Sequence, residues 1–174
     1  MSDLSLSLSR NLSAKKVSLL YKNSCILGSG TCIDYESSVK EILNDLPKDE
    51  QIFISQYYRS DEEVNNTLNF LKPYKFTNIL FLGEHPVTSY NLFFRRDRFP
   101  FKFYDVNNFN VDRYLHESVI DKNWSYINII DKLCTKRGCL IKVKDQALYF
   151  SDNHFTSFGA QYLMDKIKGE LNRY

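Results

Sequence analysis

Near its C-terminus the chain reads Leu148-Tyr149-Phe150-Ser151-Asp152-Asn153-His154-Phe155-Thr156-Ser157-Phe158-Gly159-Ala160. A carboxylate and an imidazole stand two residues apart in a short polar turn. An aromatic run of strand character precedes them, and a small-residue entry into an amphipathic stretch follows. This is the composition of a strand-to-helix loop, where a general base and the group that orients it are commonly held. An imidazole whose ordinary pKa is about 6.5 can take the proton of a serine hydroxyl as that hydroxyl attacks. A carboxylate on the other ring nitrogen fixes the tautomer and stabilises the imidazolium. His154 is the candidate base and Asp152 the candidate orienter. The bland alternatives are a loop histidine that caps the last helix and an ordinary turn aspartate.

Other polar residues offer less. His85 stands before Pro86 at the end of an apolar run, a position where parallel sheets often carry function, although a loop role suits it better. His116 has polar neighbours and reads as solvent-facing. Tyr57 and Tyr58 end an apolar run and read first as core. Arg95 and Arg96 lie among aromatics and could contact a glycan by stacking and hydrogen bonding, but ordinary surface charge explains them equally well. An oxyanion hole needs donors, and Gly83 is a weak candidate for one.

The elements that must hold these residues alternate. Strands are expected over 16–21, 51–58, 78–83 and 126–130, each rich in apolar and β-branched or aromatic residues. Helices are expected over 37–46, with Val39, Ile42, Leu43 and Leu46 at helical spacing, and from Ser60-Asp61-Glu62-Glu63 towards Pro73. Further helices are expected over 111–120 and 157–171. Residues 140–149 read as an edge hairpin. The aromatic and basic segment 89–110 has no clear period and reads as a long surface loop. Short continuous apolar strands alternating with helices predict an α/β domain of three layers, with a mostly parallel sheet covered on both faces.

With 174 residues the chain has the length of one domain, 1–174, and 43% hydrophobic residues exclude global disorder. A net charge of +2, with basic and acidic residues interspersed, gives no nucleic-acid footprint. No apolar run approaches the ~20 residues of a membrane span. The first ten residues, with Ser alternating with Leu, lack the pattern of an export signal. The four cysteines form two local pairs, Cys25 with Cys32 and Cys134 with Cys139, each bracketing a turn-rich segment. Two short disulfide loops would stabilise by about 2–2.5 kcal/mol each and imply an oxidising compartment. Free core thiols and a four-thiolate zinc site are the alternatives.

Within this architecture, the last block resembles that of SGNH hydrolases. More narrowly, it is similar to the extracytoplasmic SGNH domain fused to membrane acyltransferases of the acyltransferase-three family. The resemblance is carried by Leu19-Leu20-Tyr21-x-x-Ser24-Cys25 with Cys32, by Phe53-Ile54-Ser55-Gln56-Tyr57-Tyr58, and by Leu82-Gly83-Glu84-His85-Pro86-Val87. It is completed by Cys134-x4-Cys139 ahead of the His-x-[Ser/Thr]-x-x-Gly-Ala block, and spans roughly 16–167. It implies an SGNH-hydrolase-like fold and a Ser/His/Asp-type mechanism with His154 and Asp152 in the catalytic roles. The implied activity is O-acetyl transfer to, or ester hydrolysis on, cell-surface glycan hydroxyls, with no cofactor and no metal. The implied partners are a glycan or lipopolysaccharide and a membrane acyltransferase domain in the same or a separate chain, on the periplasmic side of the inner membrane. Two departures stand out. The family's acid usually lies three residues before the histidine, where this chain has Ser151. No Gly-Asp-Ser nucleophile block occurs, Ser2-Asp3-Leu4-Ser5 being a poor echo of it. The expectation is therefore a domain lacking that block, with Ser5 as a substitute nucleophile or with no activity as an isolated chain. The alternative is a non-catalytic glycan-binding or accessory module.

Overall fold

The computed structural model describes residues 25–86, 101–102, 106–136, 138–151, 154–171 and 173. In chain order they form helix α1 (Ile33–Asp45), strand β1 (Ile52–Ser55), helix α2 (Asp61–Leu71) with a following 3-10 turn (Lys72–Tyr74), and strands β2 (Ile79–Leu82) and β3 (Phe101–Lys102). Helix α3 (Val106–Ile120), strand β4 (Ser125–Ile127), helix α4 (Ile130–Leu133) and strands β5 (Cys134–Thr135) and β6 (Gly138–Leu140) come next. Strands β7 (Lys142–Val143), β8 (Gln146–Ala147), β9 (Tyr149–Ser151) and β10 (His154–Phe155) lead to helix α5 (Ser157–Leu171). The described residues fall into two compact units, one within 20–84 and 110–127, the other within 85–109 and 128–174.

The first unit is built on a parallel sheet of order β1-β2-β4. The central strand β2 is buried along its whole length. Four consecutive apolar side chains suit a strand covered on both faces, and a polar residue there would be stranded in the core. The expected parallel α/β arrangement is thus present. Leu43, Val64, Leu68, Phe81, Leu115 and Val119 fill the core around the sheet. Helix α2 starts where its sequence signals place it. The Ser60 hydroxyl accepts the N–H of Glu63, and the Glu63 carboxylate accepts that of Arg59, so two helix-entry donors are satisfied.

Three boundaries differ from expectation. Helix α1 begins at Ile33 rather than Ser37, because the Cys32 carbonyl accepts the N–H of Glu36 and the first turn carries Asp34 and Glu36, which suit the positive helix end. Helix α3 begins at Val106, five residues before its apolar stripe. Asparagines weaken local helix propensity without preventing a formed helix from extending by one bond per residue. The supposed loop 89–110 therefore contains the first turn of α3, and it also contains β3. The apolar run Tyr126–Ile130 leaves the sheet at Ile127, and its last residue opens α4. A short buried run does not by itself distinguish strand from helix. The strand expected over 16–21 lies outside the described residues.

The second unit carries small antiparallel ladders, β3-β6-β5, the β7-β8 hairpin and β9-β10, and helix α5 packs against β8, β10 and α4. Leu163, Met164, Ile167 and Leu171 form its buried stripe, and Lys132 of α4 pairs with Glu170. Both cysteine pairs are disulfides, Cys25–Cys32 in the first unit and Cys134–Cys139 in the second. The thiols are consumed, so free core thiols and a thiolate zinc cage are ruled out. Cys134 and Cys139 face each other directly in the β5-β6 register. The first loop is also tied by the Glu36 carboxylate, which accepts the Gly30 N–H, and by Gln56, whose amide donates to the Cys25 carbonyl.

Candidate functional site

His154 opens β10, the short strand that returns along β9. The register sets His154 opposite Ser151 and Phe155 opposite Tyr149, with an irregularity between His154 and Phe155. Alternation sends the two neighbours to opposite faces. Phe155 is buried, its ring stacked on Tyr149 at 4.7 Å and packed against His85 at 5.3 Å. His154 is exposed, its ring stacked on Phe150 at 5.4 Å. An exposed imidazole on a short ladder is reachable by an external hydroxyl. Asp152, the proposed orienter, lies outside the described residues, as do Ser5, Arg95 and Arg96.

The turn after the histidine is fixed by backbone geometry. The Thr156 N–H donates to the Leu148 carbonyl at 2.9 Å, and its hydroxyl donates to the Ala147 carbonyl at 2.7 Å. The same hydroxyl oxygen accepts the Gly159 N–H at 2.9 Å and so caps α5. Capping thus belongs to Thr156, and the reading of His154 as the cap is set aside. Gly159 is needed for a different reason. A Cβ on it would stand 1.9 Å from the Leu148 carbonyl oxygen, so only glycine lets the helix start lie on that backbone.

The other candidates resolve differently. His85 is half-buried, and its ring packs against Phe155. His116 is exposed, as its neighbours suggest, and stacks on Tyr126 at 4.6 Å. Tyr58 is a core residue. Burial above all pushes its phenol well above the ordinary range, and the Glu84 and Glu63 charges add to this. Gly83 is not a free oxyanion donor, because its N–H donates to the Ile127 carbonyl at 2.8 Å within the sheet.

A second polar cluster, at the carboxyl ends of the parallel strands, was not singled out from sequence. Glu84 stands one glycine beyond the end of β2 and is 1% exposed; Asp112 on α3 is 5% exposed. The Glu84 carboxylate accepts the Tyr58 N–H at 2.6 Å, and the Glu84 N–H donates to Asp112 at 2.7 Å. The Tyr126 hydroxyl donates to the same Asp112 oxygen at 2.5 Å. These bonds join the exits of β1 and β2 to β4 and α3. The signal in the sequence was a carboxylate separated by a single glycine from four consecutive apolar residues.

Comparison with known proteins fits this geometry. No curated protein matches the chain. Among solved structures, it is similar to the periplasmic domain of a lipopolysaccharide acetyltransferase from Salmonella ser. Paratyphi A, with a TM-score of 0.74 at 18% identity. That likeness covers 98% of this chain and 77% of the other and shows a shared α/β fold. The family model for the SGNH domain (fused to AT3 domains) matches residues 4–169, a span that takes in the His154 turn and both disulfides. The chain belongs to this family of SGNH domains.

Proposed function

We propose that this SGNH domain serves O-acetyl transfer or ester hydrolysis at hydroxyls of a cell-surface glycan, alongside a membrane acyltransferase domain in the same or a separate chain. The family description names that fusion, and the similar solved domain comes from a lipopolysaccharide acetyltransferase. The two disulfides support work in an oxidising, extracytoplasmic compartment. His154 is the general base and Asp152 its orienter. As the nucleophilic serine oxygen bonds to the acyl carbonyl carbon, its proton passes to the His154 imidazole. Collapse of the tetrahedral intermediate breaks the bond to the donor oxygen, which takes that proton. An acceptor hydroxyl or water then attacks the acyl-serine, giving its proton to the same imidazole, and the serine recovers it on leaving. The nucleophile is Ser5 or a residue beyond these 174.

The observation that carries the reading is the exposed imidazole of His154 on a ladder braced against α5. The test is turnover of a small activated acetyl ester. His154→Ala should lower it by about 10²–10⁴-fold, the usual worth of a positioned base. Turnover untouched by that substitution would remove His154 from the mechanism. Loss on Ser5→Ala would identify the nucleophile. A second reading, a non-catalytic glycan-binding or accessory module, is favoured by the engaged N–H of Gly83, which is not free to serve an oxyanion. Glycan binding without any ester turnover would select it.

A further inference from the structure

The block that supplies the histidine also supplies Thr156 and Gly159, and the proton-transfer chemistry uses neither. A helix cap needs a single bond, from the Gly159 N–H to the Thr156 hydroxyl oxygen. Thr156 does more than that. Its hydroxyl proton goes to the Ala147 carbonyl and its own N–H to the Leu148 carbonyl. Leu148 is in turn held, because its N–H donates to the Ile141 carbonyl at 2.8 Å. One side chain therefore pins the start of α5 to the backbone between β8 and β9, and Gly159 permits the contact by having no Cβ. Phe155, the residue between Thr156 and His154, is fixed by its stack on Tyr149.

We propose that Thr156 is the positioning residue for His154: its hydroxyl bridges Ala147 to Gly159 and sets where the imidazole, two residues upstream, stands. His154 itself is exposed, so the backbone on which it stands bears directly on where its ring lies. A displacement of about 1 Å in a catalytic group can cost on the order of 10²-fold in rate. The consequence for turnover rests on the catalytic reading of His154; the geometric claim does not.

The test reads the imidazole directly. Nitrogen-correlated NMR spectra of the histidine side chains are recorded for the full chain and for Thr156→Ser, Thr156→Val, Thr156→Ala and Leu171→Ala. Thr156→Ser keeps the hydroxyl and should keep the wild-type His154 resonances. Thr156→Val or Thr156→Ala should move them while His116 stays in place. Leu171→Ala loosens the far end of the same helix and should leave His154 where it was. Unmoved His154 resonances in Thr156→Val and Thr156→Ala would overturn the proposal, as would an equal displacement in Leu171→Ala. If neither hydroxyl-free variant folds, Thr156→Ser decides, and displaced resonances there count against the proposal. Acetyl-ester turnover of the same proteins separates the two ideas. Where the wild type turns over ester, Thr156→Val should lose about tenfold or more in kcat with KM little changed, and Thr156→Ser should restore it. Where the wild type is inert, the resonances alone decide the positioning.

Discussion

Polar side chains at strand ends are treated in opposite ways in the two units. After β2, Glu84 and Asp112 are withdrawn from water and accept hydrogen bonds from Tyr58 and Tyr126, while the Glu84 N–H donates to Asp112. On β10, His154 faces solvent beside a backbone held by the Thr156 bonds. The first arrangement suits structure, since a buried carboxylate is tolerable only when its bonds are made and is then costly to disturb. The second suits chemistry, since a base must meet its substrate. In both cases the titratable group lies within a few residues of an apolar run. Burial separates the two.

The glycines give the sharpest test. Both lie at close approaches, but they meet different neighbours. A Cβ at Gly159 would strike the Leu148 backbone at 1.9 Å, whereas one at Gly83 would meet the Tyr126 hydroxyl at 2.3 Å and an Asp112 oxygen at 2.8 Å. Backbone cannot swing aside, so Gly159→Ala should show the larger loss of the two, about 3 kcal/mol by denaturant unfolding. Gly83→Ala should cost less, because side chains can yield. The reverse order would mean that the Glu84–Asp112 cluster, rather than the α5 entry, is the more rigid of the two.

Next in size is the cluster itself. Asp112→Ala leaves the Glu84 N–H and the Tyr126 hydroxyl without their acceptor inside the protein, and should destabilise by about 2 kcal/mol. Glu84→Gln keeps the size of the side chain and an acceptor for the Tyr58 N–H, so it should cost less than Asp112→Ala. Equal acetyl-ester rates per folded molecule in wild type and Asp112→Ala would mark the cluster as structural. A large fall in rate with little change in stability would make it part of the chemistry and erase the contrast.

Much of this was legible in the residues, and the reasons are specific. Ile79–Leu82 announced a central parallel strand because four apolar side chains in a row fit no half-exposed one. Ser60 with Glu63, and the stripe from Ser157 to Leu171, marked helices through local bonds that the sequence itself encodes. Both cysteine pairs were close enough in sequence to bridge. Asp112 was hidden, because a carboxylate beside a helical stripe of Val111, Leu115 and Val119 reads as the edge of the solvated face. Gly83 carried no sign that Ile127 takes its N–H, a partner 44 residues away. Thr156 looked like one of several small residues at a helix entry. Its bond to Ala147 depends on where the β7-β8 hairpin returns, and only the fold shows that.

The smallest expected effect bears most on the comparison. His154→Ala should leave stability within about 0.5 kcal/mol of wild type, as substitutions at exposed positions usually do. The ring does stack on Phe150, but Phe150 is itself 44% exposed, so much of that contact is made against water and little is lost when the imidazole goes. The ladder register and the Thr156 bonds are backbone-based or belong to other side chains, and alanine preserves them. Equilibrium unfolding in urea should therefore give the same midpoint and slope for both proteins. A loss above about 1 kcal/mol would show the imidazole holding the turn together, as Asp112 holds its own surroundings. His154 would then be a structural residue at a strand end. An unchanged midpoint beside a lost ester activity would instead separate stability from function at this one residue.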